Sequence, residues 1–453
     1  MTRCKYLELV KEQIRCKRVR GAIGEELEAH MDEQKMDFMA EGMTETEAEE
    51  AAVCEMGDPV EVGVEMDRIH RPRMPWRMFL WITGISVIGF VLSTMLLYDG
   101  LGEGYFNLDM IVKNGLILAA AIAIMAGICL LDYSRIAQYA EAGMIVFLAA
   151  LVLGLIFSGG MVNGRAGWIS LPVIGAVNVS MLLYLGVPLY GAIMYRYRGE
   201  GYRGLWKSLF WAVPPVLIAY SRPDVVTAAM LLATFLIMLS VAVYRRWFRV
   251  ARKKTLAALW MAALTGMAAC CGYMLISGAT YQAMRLQAML GMLDGEEPYL
   301  MKMIQGVAAE CVFFGEGTGK MRLSEIPDIG SYVLTGILVT YGVAAAVLLV
   351  SAILLLLFRC FRKSLKQKNQ LGMMMGTGCT VLLGLQFLIY LAVNVAGLPI
   401  SAYCPFLTFG GSGRLVVFAL FGLLLSIFRY ENVAEESACV KKKGRFRIKI
   451  IRE

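Results

Sequence analysis

The chain has 453 residues, 58% of them hydrophobic and 18% charged, with a formal net charge of +8 and a mean hydropathy of +0.61. A soluble domain carries ~25% charged residues, so a water-soluble globule is excluded. The basic residues sit in short clusters between apolar runs rather than on one patch, which argues against a nucleic-acid binder.

Residues 1–72 come first and differ from the rest. They are charge-rich and lack the pattern of a secretory signal. Gly42 is placed to end one helix, and Thr44-Glu45-Thr46-Glu47 reads as a capping box that opens the next. Gly57 is placed to end that helix, and Asp58-Pro59 to start another with proline at its first position. The expectation is a cytoplasmic domain of three or four helices over 1–72. A domain this small has a marginal core. The segment resembles the helical prefix domain found ahead of many bacterial permease-type proteins, which implies a docking or regulatory role; a solvated cap is the plainer reading.

From residue 75 onward the chain is a series of long apolar runs. A bilayer core needs ~20 mostly apolar residues per helix. About ten spans are expected: roughly 76–98, 110–131, 138–159, 173–195, 206–221, 224–244, 255–277, 332–358, 371–395 and 410–428. The fold class is therefore all-α, a polytopic membrane protein, over 73–430. A transmembrane β-barrel is excluded, because it shows short alternating segments instead.

The loop charges give an orientation. Arg68, Arg71, Arg73 and Arg77 precede the first span, and Arg196, Arg198, Arg203 and Lys207 follow the fourth. YRRWFRVARKK, FRCFRKSLKQK and a basic tail over 431–453 all fall on that same side if the spans number ten. Lys and Arg mark the cytoplasmic side, so both termini are expected there. Contact with anionic membrane lipid fits the same clusters. The longest loop, 278–331, lies on the outer side. Its stretches YQAMRLQAMLGML and YLMKMIQGVAAECVFF have helical apolar spacing and are expected at the interface.

The inventory excludes several chemistries. His30 and His70, the two histidines, precede the membrane part, which therefore has no histidine for a catalytic triad, metal or haem. The 11 cysteines form no CxxC pair; Cys311 and Cys404 fall on the outer side and could pair, with free buried thiols the plainer reading. There is no P-loop. No cofactor is identified and a divalent cation stays open. Ionisable groups at membrane depth are often functional. Among these, Lys113 reads as snorkelling, and Asp224 as either a helix cap or a site residue.

Five segments, in order, resemble the SEDS family (FtsW/RodA/SpoVE-like proteins of shape, elongation, division and sporulation). They are NGRAGWI at 163–169, SRPDVVTA at 221–228, FFGEGTGK at 313–320, IPDIGSYVLTGILVTYG at 326–342 and VNVAGLPISAYCPFLTFGGSG at 393–413. The resemblance implies a ten-span protein of peptidoglycan synthesis. It would bind the polyprenyl-diphosphate sugar lipid II, extend glycan strands as a glycosyltransferase, and work beside a class B penicillin-binding protein.

The site residues it implies are Arg165, Trp168, Arg222, Asp224, Asn394, Pro405, Gly410, Gly411, Ser412 and Arg414. The arginines would contact phosphate, and the glycine-rich helix start would accept an anion. In the family an aspartate opening span eight is held to be the base; here Ser331 or Tyr332 takes its place. Asp328 is the nearest carboxylate. As the candidate base it is displaced by ~13 Å of extended chain, and a shift of ~1 Å can cost ~100-fold. The charged pair that the family carries after the loop with Trp168 is also missing from 178–184. Two readings follow: a divergent polymerase, or a catalytically impaired partner protein of the same fold. A lipid-precursor flippase is the third.

Overall fold

The computed structural model describes residues 1–16, 19–101, 108–162, 165–171, 175–222, 224–277, 287, 299–318, 330–398, 400, 402–431 and 433. They fall into two compact units. One contains residues 1–74, 367–371 and the chain from 427; the other contains 75–366 and 372–426.

The first unit opens with four helices: α1 (Arg3–Gln13), α2 (Arg20–Ala40), α3 (Glu45–Glu55) and α4 (Pro59–His70). The predicted caps are all present. Gly42 and Gly57 have φ of 100° and 77°, the left-handed region that glycine enters without a Cβ penalty. Thr44 and Glu47 close a reciprocal capping box, and the Asp58 side chain accepts the Val60 N–H one residue before Pro59. Tyr6, Val10, Ile14, Ile23 and Met31 form the core. The Tyr6 hydroxyl donates to the Met56 carbonyl at 3.0 Å, tying α1 to the end of α3. Val433, just past the last long helix, is buried in this same core, with Tyr430 packed beside it.

The second unit is helical. Its elements are α5 (Trp76–Leu101), α6 (Leu108–Leu130), α7 (Tyr133–Gln138), α8 (Ala140–Ser158), α9 (Val179–Leu182), α10 (Gly186–Arg196), α11 (Tyr202–Ser221), α12 (Val225–Tyr244) and α13 (Arg252–Ser277). They are followed by α14 (Tyr299–Ala309), α15 (Val333–Tyr341), α16 (Val343–Leu365), α17 (Gln370–Ala396) and α18 (Gly411–Arg429). Among the described residues, nine helices are long and apolar enough to cross a membrane. The tenth expected span, α11, is a 20-residue helix that carries Arg203, Lys207, Pro214 and Pro215 and is not among those nine. It nevertheless exposes Trp206, Phe210, Val213 and Leu217, an apolar stripe at helical spacing.

Three expectations need correction. The run 332–358 is not one helix. It breaks at Gly342, whose φ is 90°, into α15 and α16. The segment Val312–Gly317 fills the break. Val343 N–H donates to the Val312 carbonyl at 3.0 Å, Ala344 N–H to the Phe313 carbonyl at 3.1 Å, and Gly317 N–H to the Val339 carbonyl at 2.8 Å. The freed backbone groups of the broken helix thus find partners inside the protein, as a membrane span requires.

The second correction concerns span four, expected from 173. A small antiparallel sheet occupies the approach to it: β1 (Gly159–Val162), β2 (Arg165–Leu171) and β3 (Gly175–Asn178), in that order. Ile169 pairs with Gly159 and Trp168 with Asn178. Third, the stretch from Tyr299 turns its apolar side into the protein rather than leaving it free for lipid. Met303, Ile304 and Val307 of α14 are buried in the protein, and the α14 backbone presses on Gly397 at the end of α17. The stretch 281–293 lies outside the described residues, apart from Gln287.

Candidate functional site

Trp168 is half-buried in β2, opposite Asn178 in β3. The Asn178 backbone N–H donates to the Ser412 hydroxyl at 3.3 Å, and its side chain accepts the Ser180 N–H at 2.9 Å to start α9. A strand from early in the chain is thereby joined to the glycine-rich turn near its end. Arg165 pairs with Val162 in the ladder, and its side chain lies outside the described part of the structure.

Six residues beyond Asn178, the buried Tyr184 lies beside Asp224 and Thr227. Asp224 is the N-cap of α12: its carboxylate accepts the Thr227 N–H at 3.1 Å and hydroxyl at 3.0 Å. An acid at a helix N-terminus is stabilised there, so the capping reading of Asp224 describes its geometry. Arg222 closes α11, and its Nε is buried without a hydrogen-bond partner.

The turn over 402–410 packs on α5. The Ser93 hydroxyl donates to the Leu407 carbonyl at 2.7 Å. A Cβ built on Gly89 would lie 2.2 Å from the Phe406 carbonyl oxygen, so only glycine admits this turn. Pro405 is buried in it. Gly410, Gly411 and Ser412 lead into α18. The Tyr403 ring covers that start, 3.1 Å from a Cβ built on Gly410 and 2.9 Å from one built on Gly413. The glycines thus make room for an aromatic ring, a role their spacing did not announce.

Arg414 is 1% exposed. Its guanidinium donates to the Thr408 carbonyl at 3.1 Å and the Asn114 carbonyl at 3.3 Å, and it faces the Phe409 ring at 5.9 Å. Arg414 Nε and the Tyr403 hydroxyl are both buried, and the guanidinium lies beside that hydroxyl.

Asn394 holds the start of α15. Its side-chain oxygen accepts the Thr335 N–H at 3.1 Å. Its nitrogen donates to the Ser331 carbonyl at 3.2 Å and the Tyr390 carbonyl at 2.9 Å. One turn earlier on α17, the Tyr390 hydroxyl accepts the Leu334 N–H at 3.2 Å and lies next to Cys404 and Thr408. The first N–H groups of α15 are thus taken by protein side chains, and its N-terminus offers less to an anion than a bare helix end. Ser331 and Tyr332 are buried, and the Tyr332 hydroxyl donates to the Leu398 carbonyl at 3.2 Å. Asp328 lies outside the described residues.

Trp168 and Ser412 are therefore brought together through Asn178, and Arg414 is linked to Asn394 through Thr408 and Tyr390. Sequence reading passed over Asn178, Tyr184, Tyr390 and Tyr403. One signal was available: Tyr390 and Asn394 stand four residues apart on one helix face. Cys311 and Cys404 are free thiols. Among the described residues, no group of His, Cys, Asp and Glu could hold a metal ion.

The family model described as "Cell cycle protein", FtsW/RodA/SpoVE, matches residues 73–433. The probable peptidoglycan glycosyltransferase FtsW of Geobacter sp. (strain M18) is 26% identical over 275 residues, 59% of this chain and 72% of the relative. Stage V sporulation protein E of Bacillus subtilis (strain 168) is 24% identical over 332 residues, 70% of this chain and 86% of the relative. Two solved structures share the fold. A chain of a peptidoglycan synthase complex that coordinates polymerization and crosslinking has a TM-score of 0.61 at 20% identity, covering 79% of this chain and 98% of its own. The rod shape determining protein RodA of Thermus thermophilus has a TM-score of 0.56 at 18% identity, covering 80% and 98%. Apolar helices and these likenesses together make the chain a multi-pass membrane protein.

Proposed function

The chain belongs to the FtsW/RodA/SpoVE cell cycle protein family, and from that premise we propose that it serves peptidoglycan synthesis in a bacterial cytoplasmic membrane. It binds lipid II on the outer face and extends glycan strands from it, with both termini cytoplasmic. The observation that carries this reading is the convergence of separate motifs. Asn178 joins the Trp168 strand to Ser412, while Asn394 brackets the turn where the family is held to keep its base.

Glycosyl transfer needs a base for the acceptor hydroxyl and stabilisation of the departing diphosphate. In the described turn neither Ser331 nor Tyr332 carries a carboxylate, so the base in this proposal is Asp328. Arg165 and Arg222 meet the diphosphate, and Trp168 packs against the sugar. A class B penicillin-binding protein is the proposed partner, in keeping with the synthase complex whose chain shares this fold.

A second reading is favoured by one specific feature: the Ser331–Tyr332 turn is buried, with the Ser331 carbonyl and the Tyr332 hydroxyl hydrogen-bonded inside the protein. A turn so occupied favours a protein that binds lipid II without polymerising it.

Purified protein incubated with lipid II, with and without Mg2+, separates the two. Polymer that disappears in Asp328→Ala supports the enzyme. Retained lipid II binding with no polymer, in both proteins, supports the binding protein. Polymer undiminished in Asp328→Ala removes Asp328 from the mechanism. Movement of labelled precursor across proteoliposomes would instead point to a flippase.

A further inference from the structure

The first unit carries an exposed face that is both acidic and apolar. The helices α2 and α3 hold eleven carboxylates against Arg20 and Lys35. Arg3 engages Asp32 and Glu28, and Lys35 engages Glu45 and Glu49. Glu26, Asp37, Glu41 and Glu50 stay exposed. Among them sit Met36, Met39 and Met43, which are 71%, 44% and 40% exposed. Three solvent-facing methionines at one helix end are an adaptable apolar surface.

The chain itself contains a segment of matching chemistry. The stretch KKKGRFRIKIIR at 441–452 has seven basic residues interleaved with Phe446, Ile448, Ile450 and Ile451. The path to it is short. Val433 is buried in the core shared by α1, α2 and α3, and Lys441 follows eight residues later. Eight residues reach at most ~28 Å, close to the ~31 Å length of a 21-residue helix such as α2. A tether this short gives an effective concentration on the order of millimolar. Exposed ion pairs are individually weak, but an affinity of about 1 mM then suffices to hold the segment.

We propose that residues 441–452 dock on the acidic, methionine-bearing face of α2. The basic side chains meet Asp37 and Glu41, and Phe446 and Ile448 cover Met36 and Met39. The four-helix unit thereby holds a basic segment that would otherwise be drawn to anionic lipid.

A photo-crosslinking benzoylphenylalanine in place of Phe446, in the full chain in phosphatidylglycerol-containing nanodiscs, tests this. Crosslinks are expected on the peptide 33–43. Their yield should fall at least about fivefold in Asp37→Lys/Glu41→Lys and at ~0.5 M salt, where screening is strong, and recover when Lys441, Lys442 and Lys443 are changed to Glu in the reversed background. The salt arm reads the same contact in the unmutated helix, should the reversed chain fold poorly. Crosslinks on lipid or on another part of the chain, or a yield indifferent to both charge reversal and salt, overturn the proposal.

Discussion

The side chain of Asn394 spans the turn at Ser331, donating to its carbonyl at 3.2 Å while accepting the Thr335 N–H at 3.1 Å. One buried amide therefore fixes the entry of α15 against α17. Replacing it with leucine leaves a buried donor and a buried acceptor unpaired, each costing about 1–3 kcal/mol. Asn394→Leu is expected to lower the unfolding free energy by about 2–4 kcal/mol, read from denaturant unfolding in detergent. A fully stable variant with weakened lipid II binding would instead make Asn394 a substrate contact.

Gly342→Ala is expected to be among the more damaging small substitutions in the bundle. Its φ of 90° is strained for any residue with a Cβ, and the added carbon would meet the Phe313 carbonyl oxygen at 2.8 Å. Left-handed strain and backbone crowding together cost about 2–4 kcal/mol. Thermal unfolding of the purified variant checks it, and Gly84→Ala, where a Cβ meets nothing within 4 Å, serves as the neutral control.

Arg414→Lys is not expected to rescue what Arg414→Ala loses. The guanidinium reaches the Thr408 and Asn114 carbonyls at once, a fork that a single ammonium reproduces poorly. Both variants should lower stability, Arg414→Ala by about 3 kcal/mol or more for the lost packing and the stranded carbonyls. Lysine restoring stability but not lipid II affinity would mark Arg414 as a phosphate contact.

The Arg3–Asp32 pair predicts an acid dependence. The side-chain hydrogen bond from Arg3 holds the Asp32 carboxyl below the usual carboxylate range. A depressed folded-state pKa contributes stability that is present above the unfolded pKa of ~3.9 and is lost as pH falls through the folded value. The gap in unfolding midpoint between the native chain and Arg3→Ala should therefore be widest near neutrality and close below about pH 4. A gap that does not change with pH removes the pair from the account.

Local chemistry was what the sequence displayed best. Thr44 with Glu47, and Asp58 with Pro59, specify helix starts within a few residues, and so they were legible in one dimension. The ten apolar runs were equally plain, because length and hydropathy are local sums. The break at Gly342 was not. A glycine inside an apolar run is tolerated in a span, and only the distant Val312–Gly317 segment gives it a reason to take a positive φ. The sheet over 159–178 escaped for a similar cause, since its strands are short and two of the three begin with glycine. At the candidate site, motif order was readable. Whether Asp224 caps or catalyses, and whether Asn394 binds or braces, depends on partners three residues away in one case and fifty-nine in the other.

The seal at Gly342 has a mechanical meaning for the segment Val312–Gly317. Were Val312 and Phe313 withdrawn, the amides of Val343 and Ala344 would lose their acceptors, and a buried amide left unpaired costs about 1–3 kcal/mol. That short segment is thus a keystone rather than an ornament. Removing it would strip the two halves of the broken helix of the partners that hold them at Gly342.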